Sequence, residues 1–474
     1  MPLCYIHSPS MASADSVRTH SAELKKELGL RDLVLTQILY VVGSHWVGTA
    51  AKLGASQIVF WLLALLLFYA PLAAVVIHLN RAMPLEGGLY QWAKLGFNDF
   101  VGFLVGWNLW LYIIVFMSSQ GMAIATNIAY ALGFDQLGAN KWFILVVTSA
   151  LVAFLIVVTV LGLSVGKWFQ NAGGVAQIIT FGTLLLIPFL SLRSGALHEY
   201  HPLSIAMPAV SLLSLNVFGK LSMGAFSGFE YVAILAGECK SPARTIGRSV
   251  LIASPIIALM FILGTSAILA YVSPDQVDLV GPIPQVLSIA FHRFPWAGII
   301  GPLVILLLVA RQLGACTLAV AGSTRLPMVA GWDHLLPEWF SKLHPKYKTP
   351  VNSILFVAAM ILITGLVSLA GAGQQEAFQI LDNASGIFYA LAYLVMFALP
   401  IANRHAPLWL RAAAASGFAV TLLYSILSIF PIIQVESWFK FGAKIGGVVV
   451  CANALGAALF WIEHKKSLAA NERK

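Results

Sequence analysis

Charge is scarce in this chain. Only 10% of its 474 residues are Asp, Glu, Lys or Arg, against about 25% in ordinary soluble domains. With 59% hydrophobic residues and a mean hydropathy of +0.86, a water-soluble fold would have nothing to cover its apolar surface. Cysteine is scarce too. Cys4, Cys239, Cys316 and Cys451 stand far apart, which excludes a dense disulfide framework and leaves no metal-ligand spacing. Catalytic signatures are missing as well. There is no Gly-x-x-x-x-Gly-Lys-Ser/Thr phosphate loop, and the stretch Gly162–Lys167 is one residue too short for it. No His-Glu-x-x-His helix occurs, and the one Gly-x-Ser-x-Gly match, Gly162-Leu163-Ser164-Val165-Gly166, lies between two apolar spans and not on the strand-to-helix turn that a nucleophile elbow needs. The chain is therefore not expected to be an enzyme or an ATP-driven pump, and no cofactor or metal is expected. The net charge of +9 raises the prospect of nucleic acid. Yet the Lys and Arg residues gather between apolar runs, which fits an anionic lipid surface instead. No nucleic-acid partner is expected.

What the chain has in abundance is apolar runs of membrane length, about 20 residues each. Twelve spans are expected, near 33–52, 56–79, 100–131, 142–163, 171–192, 210–236, 249–272, 297–322, 351–371, 377–400, 408–431 and 441–462. An even count puts both termini on one side. That side collects Lys25, Lys26, Arg81, Lys94, Lys167, Lys240, Arg244, Arg325, Lys346 and Lys465, among others. Lys52, Lys141, Arg193, Arg293 and Lys440 mark the other. Positive charge stays inside, so both termini are expected in the cytoplasm, with the chain multi-pass in a plasma or bacterial-type inner membrane. The polar first 30 residues carry no cleavable apolar leader, and Met1 and Met11 are alternative starts.

Two of these spans are interrupted by small residues. The first break is Gly43-Ser44-His45-Trp46-Val47-Gly48, and the second is Gly224-Ala225-Phe226-Ser227-Gly228. Hydrocarbon supplies no partner for a freed N–H or C=O, so a break at membrane depth points to a protein-lined cavity. The breaks open the first and sixth spans. Five spans per repeat, an odd number, makes the two repeats inverted, which is the plan of many secondary transporters. The expected fold is therefore an all-α integral membrane protein of twelve helices, with a five-plus-five inverted repeat, broken helices one and six, and two further helices. Its parts are an N-terminal tail (1–31), a first repeat (32–209), a second repeat (210–400), helices eleven and twelve (401–463) and a C-terminal tail (464–474). The N-terminal end of a half-helix suits a substrate carboxylate, and a carbonyl end suits an ammonium group or a cation.

Several motifs carry a family resemblance. Pro84-Leu85-Glu86-Gly87-Gly88-Leu89-Tyr90-Gln91-Trp92, then Gly102-Phe103 and Gly106-Trp107-Asn108-Leu109-Trp110, resembles the stretch between helices two and three of the amino acid–polyamine–organocation (APC) permeases. Phe226-Ser227-Gly228-Phe229-Glu230 with Gly237-Glu238-Cys239-Lys240-Ser241-Pro242-Ala243-Arg244 resembles that family's sixth helix and the loop after it. Gly322-Ser323-Thr324-Arg325 with Leu335-Leu336-Pro337 is similar to the end of its eighth. The set runs in order across helices one to ten. The resemblance implies an amino acid permease working by alternating access. Its substrate carboxylate would be held by a Gly-Ser/Thr-Gly run that falls on Gly43-Ser44-His45, where His45 replaces the third glycine. An alternative register uses Gly48-Thr49-Ala50. It also implies that the backbone around Ala225, Phe226, Ser227 and Gly228 meets the substrate amine, with an aromatic lid for which Phe226 is the candidate and Trp46 a second.

Individual residues carry further expectations. His45 either contacts substrate or carries a proton, or it packs between helices. Arg311 lies deep in Leu307–Leu313, and a cation there should face the bundle interior and find a carboxylate or carbonyls. It is either a fixed charge standing where related transporters bind sodium or half of a structural ion pair. Glu230 is its candidate partner, and also a candidate amine ligand or titrating group. Thr183 stands where proton-coupled relatives often carry a lysine. Arg311 argues against a second cation nearby, which favours proton coupling or exchange over sodium. Polyamines are the alternative substrates, and a nutrient receptor is the alternative function for this fold.

Overall fold

Helix is the regular structure of every element among the described residues. Hydrocarbon demands this of a chain that must satisfy each backbone group within its own segment. The computed structural model describes residues 28–83, 85, 88–228, 239–292, 298–332, 337–368 and 373–471. Nine of the described helices are long and apolar enough to cross a membrane, and the bent pair Leu30–Val41 and Ser44–Ala51 makes a tenth. The shorter apolar helix Val351–Ser368 lies where the ninth span is expected. The helix opening at Leu212 lies where the sixth is expected.

Polar caps set several of the boundaries. Asn98 accepts the Val101 N–H at the start of Asp99–Leu132, and left-handed Gly133 ends that helix. Asn140 accepts the N–H groups of Trp142 and Phe143 before Lys141–Leu161. These side chains satisfy donors that the first turn leaves without partners. Two helices outrun their apolar stretches. The eighth continues to Trp332 and the twelfth to Asn471. Hydropathy marks where hydrocarbon ends, whereas the hydrogen-bond ladder continues into water. Arg325, expected at the end of the eighth helix, is therefore inside it, and its Nη1 donates to the Ala321 carbonyl. The second span contains a π-turn over Leu65–Tyr69 just before Pro71. Proline cannot donate to the carbonyl four residues back. That carbonyl, on Leu67, instead accepts the Ser416 hydroxyl of the eleventh span at 2.6 Å.

The third span is the central post. Its Ser118 hydroxyl donates to the Ile361 carbonyl of the ninth span, and Tyr112 stacks on Tyr389 of the tenth with ring centres 4.0 Å apart. Asn108 and Asn453 exchange amide hydrogen bonds that fasten the twelfth span. Large apolar side chains such as Leu66, Trp168 and Val450 point outward and exposed, as lipid-facing residues do. Lipid is as apolar as a helix surface, so helix association rests on close packing. The fifth and eighth spans cross at Gly173 and Gly314. A Cβ on Gly314 would lie 2.6 Å from the Phe169 carbonyl oxygen and 3.1 Å from the Gly173 Cα. Gly314→Val should therefore destabilise the protein by about 1–3 kcal/mol through overpacking. Gly446, with nothing within 4 Å of its Cβ position, should tolerate the same change. Thermal unfolding of the purified variants checks the contrast, and equal melting temperatures for the two would refute it.

Candidate substrate site

Helix Leu30–Val41 stops short, and a second helix begins at Ser44 with its axis turned by 42°. Between them Val42 and Gly43 leave the helical path. The break frees the Val42 carbonyl. It is claimed by two long side chains from different helices: Gln177 Nε2 of the fifth span at 3.1 Å and Arg311 Nη1 of the eighth at 3.3 Å. Arg311 is only 5% exposed. A cation so deep must find an acceptor, and the acceptor it finds is the one the break supplies. Its Nε has no partner among the described residues. Glu230, the expected counter-ion, lies outside the described residues. The helix from Ser44 has no side-chain cap. Its first N–H groups have no preceding turn to bond, and they carry the positive end of the helix dipole.

The sixth span loses its regularity in steps. Ser211 caps helix Leu212–Gly219, and a π-turn follows over Lys220–Ala225. Phe226–Gly228 are not helical. Gly228 takes φ +108°, a conformation that side chains rarely adopt, and its N–H donates to the Tyr393 hydroxyl at 3.0 Å. Aromatic rings of the first span rest on both glycines of this break. A Cβ on Gly224 would lie 2.2 Å from Trp46 Cη2, and one on Gly228 would lie 2.7 Å from Tyr40 Cδ1. The two interruptions, far apart in sequence, fit into one another.

A cavity of about 60 Å³ lies between them. Of the residues singled out from the sequence, Gly43, Ser44, His45, Trp46, Ser227 and Arg311 line it. Five others described do not. Gly48 is pressed against Pro282 and Val277. Ala225 is fully buried away from the cavity. Gly228 sits behind the Tyr40 ring. Phe226, expected as a lid, is fully buried instead and meets Trp61 and Phe261 edge-to-face at 5.3 and 5.4 Å. Such a ring cluster gives an aromatic more contact than a cavity wall would. Thr183 does not reach the cavity either, and its hydroxyl donates to the Ile179 carbonyl. The buried stripe of the fifth helix runs through Gln177, Thr180, Phe181 and Leu184, at helical spacing, and Thr183 lies off it.

The sequence reading missed two charged groups. Asp382 of the tenth span lines the cavity, and its Oδ1 lies 3.6 Å from His45 Nε2. Lys220 is 2% exposed, its ammonium donates to Asn383 Oδ1, and it lies within Coulombic range of Asp382. The signal for Lys220 was present: a lysine in the apolar run Val217-Phe218-Gly219-Lys220-Leu221 meets the same criterion that marked Arg311. Tyr40, Tyr112 and Gln120 also form walls, but nothing in the sequence separates them from ordinary packing residues.

Residues 30–459 match the family model described as amino acid permease. The chain belongs to this family. Among similar proteins is an uncharacterized transporter of Legionella pneumophila, 26% identical over 80% of this chain and 82% of its own length. The serine/threonine exchanger SteT of Bacillus subtilis is 24% identical over 81% and 85%. The probable agmatine/putrescine antiporter AguD of Lactococcus lactis is 20% identical over 79% and 78%. Among solved structures, MhsT in complex with L-phenylalanine superposes with a TM-score of 0.59 at 15% identity, covering 85% of this chain and 98% of that one. That likeness is one of fold. This permease is a multi-pass membrane transporter.

The hydrogen bond from Gly228 to Tyr393 yields a direct test of the sixth-span break in the permease. Tyr393→Phe removes the hydroxyl that accepts the Gly228 N–H at 3.0 Å, which should cost about 0.5–1.5 kcal/mol and lower the melting temperature of the purified protein. An unchanged melting temperature would show that this bond does not hold the break.

Proposed function

We propose that the cavity between the two breaks is the transport site, and that the permease carries an amino acid through it by alternating access. The observation that carries this reading is the uncapped helix terminus at Gly43–His45 opening onto the same buried cavity as Gly224 and Ser227. The terminus presents donors to a carboxylate. The carbonyl end of the first break is already held by Arg311 and Gln177. The substrate ammonium is therefore assigned to the sixth-span break and the Asp382 side of the cavity. The full architecture is twelve spans in a five-plus-five inverted repeat followed by two helices, with both termini cytoplasmic in the plasma or inner membrane. Helices one and six are the broken members.

Arg311 is a fixed cation at the broken carbonyl, where a second cation would meet strong repulsion. Coupling is accordingly to protons or to a counter-substrate. Polyamines remain the alternative cargo, because Asp382 faces the cavity and relatives include an agmatine/putrescine antiporter and the putrescine importer PlaP of Escherichia coli.

Labelled amino acid should accumulate in proteoliposomes under a proton gradient or by exchange against internal amino acid. Ser44→Trp, which fills the cavity, should abolish uptake while the variant remains folded by gel filtration. Accumulation driven only by sodium would overturn the coupling, and undiminished uptake by Ser44→Trp would overturn the site. In sealed right-side-out vesicles, a tag after Lys474 should resist added protease until the vesicles are opened. Cleavage in intact vesicles would reverse the orientation.

A further inference from the structure

We infer that the cavity selects a small amino acid with one carboxylate and one ammonium, and that it rejects diamines by charge and large side chains by the Trp46 indole. This rests on reading the cavity as the transport site.

Charge decides against a diamine. The cavity presents two positive features: the uncapped helix end at Ser44 and the Arg311 guanidinium, whose Nε has no partner among the described residues. Buried donors need an acceptor, and a substrate carboxylate supplies one to both. A diamine brings no acceptor and adds a cation beside a fixed one. The acid that lines the cavity, Asp382, is not open to a second ammonium either. His45 flanks it at 3.6 Å, and the Lys220 ammonium lies behind it on Asn383. Among the described residues that line the cavity, one guanidinium, Arg311, stands against one carboxylate, Asp382. Asp382 lies within Coulombic range of Lys220, so an α-ammonium shares this one acid, and a second ammonium finds no further acid among the described residues that line the cavity.

Size is set by Trp46. Its indole spans from the position of a Gly43 Cβ, 2.8 Å away, to that of a Gly224 Cβ, 2.2 Å away. It is wedged between the two breaks and cannot retreat toward either backbone. A cavity of about 60 Å³ is well below the roughly 150 Å³ of an engineered cavity that admits benzene. Any substrate with a ring or a long branch must displace the indole.

Purified permease in detergent is assayed for thermal stabilisation by L-alanine, L-serine, L-phenylalanine and putrescine. Alanine and serine should stabilise it at concentrations at least about tenfold lower than phenylalanine or putrescine require. Trp46→Leu should move the ranking toward phenylalanine. Lys220→Met, which leaves Asp382 uncompensated, should move it toward putrescine. Stabilisation of the unaltered protein by putrescine or phenylalanine at concentrations as low as alanine requires overturns the inference, as does no response to either small amino acid. The panel on unaltered protein decides the matter even if a variant fails to fold. Labelled alanine in proteoliposomes separates the two readings. Binding in the expected order with no flux would retain this selectivity and refute transport, whereas saturable putrescine flux with no alanine flux would retain transport and refute the selectivity.

Discussion

A carbonyl without a helical partner, buried in a low-dielectric interior, is the constraint from which much of this structure follows. Interrupting the first span at Val42 and Gly43 releases that group, and an unsatisfied one costs several kcal/mol in hydrocarbon. Gln177 and Arg311 answer it from the fifth and eighth spans. The two donors come from helices that themselves meet closely at Gly173 and Gly314. The glycine crossing therefore places the donors, and the donors permit the break. Arginine suits the position better than lysine would. Its several N–H groups let one end hold the carbonyl while the rest of the fork remains turned to the cavity.

The second consequence is mechanical. Trp46 rests on Gly224 and Tyr40 on Gly228, so rings from both halves of the first span are keyed into the break of the sixth. Tyr40 also approaches Tyr112 through its hydroxyl at 3.3 Å, and Tyr112 stacks on Tyr389. Closely packed interiors rearrange between discrete states because they cannot deform continuously. A motion of the sixth span must therefore either carry the first with it or lift each ring off its glycine. The two spans are thereby interlocked through Trp46 on Gly224 and Tyr40 on Gly228.

Much of this was legible in the sequence because the bilayer is an unforgiving solvent. The apolar spans among the described residues, the break at Val42–Gly43 and the inward turn of Arg311 each follow from the cost of putting polar groups in oil. The wall residues were less legible. Membrane interiors use tyrosine, tryptophan and phenylalanine for packing everywhere, so Tyr112 and Phe226 look alike in sequence although one lines the cavity and the other joins a ring cluster. Thr183 was misplaced because a motif position fixes height along a helix but not azimuth. The buried stripe through Gln177 and Thr180 settles the azimuth. Lys220, one turn before Gly224, carries the same desolvation cost as Arg311 and is legible by the same criterion.

The distribution of charge also limits how a transport cycle can be coupled. Arg311 does not give up its proton under any physiological condition, so its part is that of a permanent positive charge at the break. A proton that enters or leaves during the cycle needs a different carrier. The described cavity offers His45 and Asp382 facing one another, with Lys220 and Asn383 immediately behind. These groups sit on the first, tenth and sixth spans, and two of the three are the broken ones. A movement of the first span against the tenth changes the distance between His45 and Asp382. Arg311 holds the broken carbonyl while the His45–Asp382 pair stands in the same cavity wall.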